Sequence, residues 1–73
     1  MSGADPALEA EHLLELAAGG DLSTRGRWIS WIERARKLPP RMKIWLIQKV
    51  KERISESAGE YLWRYISKHG ERP

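Results

Sequence analysis

Apolar positions along this chain recur at helical spacing, and no stretch alternates as a half-buried strand would. Asp5 followed by Pro6 reads as an N-cap with proline at the first helical position, and Gly19-Gly20 reads as a stop, which predicts a first helix from Pro6 to about Ala18. Ala10, Leu13, Leu14 and Ala17 mark its apolar side. A free-standing helix of that length is marginal in water, so docking of Leu13, Leu14 and Leu16 has to hold it. Ser23 or Thr24 offers the next cap, after which Trp28, Ile29, Ile32 and Ala35 form a stripe flanked by Trp31 and Leu38. Pro39-Pro40 closes that helix and opens the third, because the residue before a proline is pushed out of helical geometry. In the third helix Met42, Leu46, Ile47, Val50 and Ile54 share one stripe, predicted to be core, while Ile44 and Trp45 fall off it on different sides. Ser57-Ala58-Gly59-Glu60 has the form of a capping box, predicting a break near Ser57 and a fourth helix from Ala58 to about Lys68, stopped by Gly70. One long bent helix from Pro40 to His69 is the alternative. The inner face of the fourth helix reads as Leu62, Tyr65 and Ile66, with Tyr61 and Trp63 at its edges.

The pattern predicts an all-α fold, a single small domain of three to four short helices over residues 1–73, with 1–5 and 71–73 as disordered tails. A chain of 73 residues supports only a thin core, and with no cysteine it has no disulfides, so packed helices and buried aromatics must stabilise it. Trp28 and Trp63 are expected in that core, since large aromatics dominate small interiors. The missing cysteine fits a reducing cytoplasm, which is the expected compartment. No apolar run approaches the roughly 20 residues that span a bilayer, and Met1 to Ala18 carries acids where an export signal carries bases.

Charge divides the chain more sharply than its net +3 suggests. Residues 1–24 hold Asp5, Glu9, Glu11, Glu15 and Asp21 with no Lys or Arg, and all 13 bases lie in residues 25–73. Such a split calls for intramolecular pairing or for two surfaces that face different partners. Catalysis, cofactors and metals are not expected. His12 and His69 lie near opposite ends, and neither joins a nucleophile, base or ligand cluster. The glycines follow no strand, so no phosphate-cradling loop is implied.

The segment Arg25 to Arg53 is the one that suggests binding, with ten bases against Glu33 and Glu52 and with Trp28, Trp31 and Trp45 among them. Cations interleaved with aromatics suit both nucleic acid and protein interfaces. The candidate partner-binding residues are Arg25, Arg27, Trp31, Arg34, Arg36, Lys37, Arg41, Lys43, Ile44 and Trp45. Ile44 and Trp45 stand out because they are apolar residues off the core stripe, which their own helix cannot bury by itself. A helix-turn-helix is disfavoured, since Arg41 to Ile47 presents mostly apolar side chains where base edges require polar ones. A small nucleic-acid-binding module remains open, as does an amphipathic membrane-active protein, which the acidic first helix opposes.

In its size, its lack of cysteine, its acidic Asp5-to-Ala18 helix and its basic aromatic Trp28-to-Trp45 segment, the chain resembles small phage-encoded regulators of host RNA polymerase. The likeness covers the whole chain in character and rests on no motif, so no functional residue is carried across by position. It implies a monomer without catalytic turnover, working in the host cytoplasm. This monomer would bind a bacterial RNA polymerase subunit, with DNA or RNA possible in the same complex and no membrane. Inhibited initiation, antitermination or both would follow.

Overall fold

The computed structural model describes residues 5–20 and 22–67, which form four helices: α1 (Pro6–Ala18), α2 (Arg25–Arg36), α3 (Pro40–Arg53) and α4 (Glu56–Ile66). No described residue is in a strand, and no described helix is long and apolar enough to cross a membrane.

The boundaries follow from local chemistry. The Asp5 carboxylate accepts from the Ala7 amide at 3.0 Å and caps α1 as the Asp5-Pro6 pair predicts, so the tail expected over residues 1–5 does not include Asp5. After Ala18 the chain leaves through Gly20 at φ 76°, a conformation glycine adopts without strain. Thr24, of the two residues proposed, caps α2 by accepting from Arg27 N at 3.2 Å. Extended Pro39, at φ −59° and ψ 152°, makes the corner into α3 without a side-chain cap.

The break between α3 and α4 lies two residues earlier than the capping-box pattern suggests. Ser55, not Ser57, is the N-cap and accepts from the Ala58 amide at 3.1 Å. Gly59 therefore lies inside α4, where it is buried against α3 with the Ile47 carbonyl 3.2 Å from where a Cβ would stand and the Lys51 side chain closer still. Its missing side chain does not weaken a helix boundary here; it allows two helices to approach. Helix α4 ends at Ile66, with Ser67 already extended. The expected terminal turn at Lys68, with His69 and Gly70, lies outside the described residues.

Helix α3 is the centre of the arrangement, packed on α1 along one side and α4 along the other, while α2 closes the bundle against α4 and α1. Helices α2 and α3, adjacent in sequence, are thus diagonal in space. The short dimension of 20 Å leaves room for only two layers of helices at ~10 Å each. Between the layers lie Ala10, Leu13 and Leu14 of α1, Trp31, Ile32 and Ala35 of α2, Leu38, Leu46, Ile47 and Val50, and Leu62 and Ile66 of α4. Leu16, Met42 and Trp63 pack on this core as half-buried residues. Three positions of the expected stripes are not covered. Ile29 is 44% exposed on the outer edge of α2, Ile54 is 44% exposed because it is the residue at which α3 ends, and Tyr65 is 44% exposed on the flank of α4.

Candidate functional site

Several proposed binding residues are structural. Trp31 is 1% exposed and its indole Nε1 donates to the Leu13 carbonyl at 2.8 Å, tying α2 to α1 across the core. It was expected to flank the α2 stripe and meet a partner; its tilt toward α1 places it inside instead. Lys43 is also 1% exposed, since it occupies the centre of the inward face of α3 between Leu46, Ile47 and Val50. A buried ammonium is not offered to a partner. Arg34 donates through Nε at 2.8 Å and Nη2 at 2.9 Å to the two carboxylate oxygens of Glu9, so part of the charge split is satisfied within the molecule. That hydrogen-bonded pair holds the Glu9 carboxyl below its ordinary range and raises Arg34 above its own, against the smaller opposing effect of desolvation.

The remaining candidates do not form one surface. Arg25, Arg27, Arg36, Lys37 and Arg41 are exposed, while Ile44 and Trp45 are half-buried. Trp45 packs against the core, beside Ala7 and Glu11 of α1 and Met42 of its own helix. Since α2 and α3 are diagonal, their outer faces look in different directions, and the Arg25-to-Arg53 segment meets only at its corner, where Arg36, Lys37 and Arg41 lie close in sequence. An open groove of about 500 Å³ runs beside this corner, lined by Asp5, Pro6, Leu8, Glu9, Arg34, Lys37, Leu38 and Pro39. Two carboxylates and two cations line it, so it has no single sign of charge. Among the described residues no cluster of His, Cys, Asp or Glu has the makings of a metal site.

A different surface emerges between α2 and α4. Trp28, expected in the core, packs against it but stays half-buried in the first turn of α2, with Tyr61 and Tyr65 beside it. Its ring centre is 5.9 Å from that of Tyr61 and 5.6 Å from that of Tyr65, the latter edge-to-face at 79°. The tyrosine rings are 5.1 Å apart, with their hydroxyls hydrogen-bonded at 3.4 Å. That bond, and then electrostatic interaction with Tyr65, push the Tyr61 phenol above its ordinary value. Tyr61 is 51% exposed, and Ile29, one residue beyond Trp28, is 44% exposed. Arg25 one turn before Trp28, Arg27 directly before it and Arg64 one turn after Tyr61 are exposed as well.

The sequence carried a signal for this cluster. Tyr61 and Tyr65, at i and i+4, share a helix edge displaced from the Leu62–Ile66 stripe, as the helical period requires. What the sequence alone did not show was that Trp28 lies opposite them.

Comparison with known protein families, with curated proteins and with solved structures finds no match to this chain.

Proposed function

We propose that the chain is a non-catalytic regulatory protein that docks on bacterial RNA polymerase and alters transcription by occupying a site, through inhibited initiation, antitermination or both. The observation that carries the docking is the ring cluster. A domain with so thin a core has few large aromatics to spare, yet Tyr61 and Tyr65 stand at its surface beside a half-buried Trp28, with exposed Ile29, Arg25 and Arg64 on the same two helices. Tryptophan, tyrosine and arginine are the residues that dominate protein binding hot spots, and such side chains left open to water favour a partner that covers them. The choice of polymerase rests on the likeness in size, charge division and aromatic content to phage regulators of that enzyme. A regulator of this kind works as a monomer in the bacterial cytoplasm.

Affinity capture from a bacterial lysate with the tagged full chain, read by mass spectrometry, tests the target. Polymerase subunits should be enriched, and transcription by the purified enzyme should respond with saturation near equimolar protein. Capture that recovers no polymerase subunit overturns the named target.

A second reading, a small nucleic-acid-binding module, is favoured by the exposed cations of the α2–α3 corner, Arg36, Lys37 and Arg41. It requires affinity that falls steeply with salt, because phosphate binding releases counterions. A gel shift that shows no binding to DNA or RNA at low salt removes it.

A further inference from the structure

The surface beside the ring cluster has a chemistry that selects among partners. Stepped at roughly 100° per residue, α2 turns Trp31 and Arg34 toward α1, and it carries Arg25 and Ile29 on the opposite edge, outside the seam with α4. On α4, Tyr61 and Tyr65 lie along the seam and Arg64 follows on the solvent side. The result is an apolar strip of Ile29, Trp28, Tyr61 and Tyr65 with a cation on each helix beside it. Glu33 on α2 and Glu60 on α4 are the acids next in order, one step further round each helix beyond Ile29 and Arg64.

Resting on the docking reading above, we propose that this strip binds an acidic protein segment with an apolar anchor. The anchor lies against Trp28, Ile29 and the two tyrosines, and carboxylates on either side of it pair with Arg25 and Arg64. Charge complementarity points to the acidic flanks, since the strip itself is neutral and Arg25 stands one turn from both Trp28 and Ile29, whereas Glu33 stands one turn from Ile29 alone. The geometry of the rings favours a peptide over nucleic acid. Bases stack on open ring faces, whereas here the rings are turned on one another, edge-to-face between Trp28 and Tyr65 and at 59° between the tyrosines. An exposed aliphatic side chain, Ile29, continues the strip where a stacked strand would want a further ring or cation. Phosphates also arrive at every nucleotide and call for a track of cations, and Arg25, Arg36 and Arg64 do not make one, since the first two stand about three turns apart with Glu33 between them.

The test uses the full chain and NMR titration with three probes: a synthetic peptide with a Leu-Phe pair between Asp/Glu runs, its Lys-substituted counterpart, and a short oligothymidine. The acidic peptide should shift the Trp28 indole and the signals of Arg25 to Ile29 and Tyr61 to Tyr65, while leaving the buried Trp31 indole in place. The Arg25→Glu/Arg64→Glu variant should weaken that binding by about tenfold or more with an unchanged melting temperature, the melt confirming that the variant is folded. Tyr61→Ala should weaken it to a similar extent. Shifts produced by oligothymidine and not by the peptide overturn the proposal in favour of nucleic acid, and no shift with either probe overturns it outright. No polymerase is present in the titration, so the two readings fail separately. Peptide binding without polymerase capture removes only the target, and polymerase binding that survives the charge reversal removes only the acidic-segment proposal.

Discussion

Trp31 shows what separates a structural aromatic from a functional one in so small a domain. Its ring is buried between α1 and α2, and its one polar atom is satisfied by the Leu13 carbonyl. Trp31→Ala should therefore cost roughly 3–5 kcal/mol, a large share of the total stability of a small domain, and thermal melts should show it largely unfolded. Trp28 is the contrast, half-buried against the core with Tyr61 and Tyr65 beside it. The Glu9–Arg34 pair makes a smaller contribution, because both side chains are about a third exposed, at 35% and 36%. Arg34 depresses the Glu9 pKa in the folded state, so this contribution is fully present above the ordinary value of 4.5 and is lost as acid protonates the carboxylate below it. Glu9→Gln should accordingly lower stability at neutral pH by less than ~1 kcal/mol, and the difference from the parent protein should vanish in melts at strongly acidic pH. An unchanged difference in acid would mean that the pair is not its source.

At the scale of the element, the helices were legible wherever the backbone chemistry was local. Asp5-Pro6, Thr24 and Pro39-Pro40 set their boundaries within a few residues, so they were readable without tertiary structure. The α3–α4 break was not, since Ser55 and Ser57 are equally good caps by residue type, and the choice is made by the packing of Gly59 on Ile47. Ser55→Ala should cost about 1 kcal/mol and Ser57→Ala little, a difference that urea unfolding resolves. Gly59→Ala gains up to about 1 kcal/mol of helix propensity but drives a methyl against the Ile47 carbonyl and the Lys51 side chain, and overpacking of this kind typically costs about 1–3 kcal/mol. The lysine can swing away but the backbone carbonyl cannot, so net destabilisation is expected. Gly26, with open space around it in the first turn of α2, should give the opposite sign on substitution with alanine.

Which helices meet is a property of the whole molecule, and periodicity along one helix does not contain it. The sequence placed Leu46, Ile47 and Val50 inside correctly, because a single stripe determines which face is buried. It could not show that α2 and α3 are diagonal, so a run of cations and tryptophans that looked continuous is distributed over opposed faces, with Trp31 and Lys43 enclosed. The ring cluster arises for the same reason in reverse, from residues more than thirty positions apart that only the α2–α4 packing unites. The central claim is that this cluster is a docking surface separable from the core. It is tested most directly by measuring, on one Tyr61→Ser/Tyr65→Ser variant, both the melting temperature and the affinity for purified bacterial RNA polymerase. The account predicts a melt within a few degrees of the parent, as for substitution of exposed side chains, and a loss of polymerase affinity of about tenfold or more. A collapsed melt, or a stable variant that binds polymerase as the parent does, would contradict it.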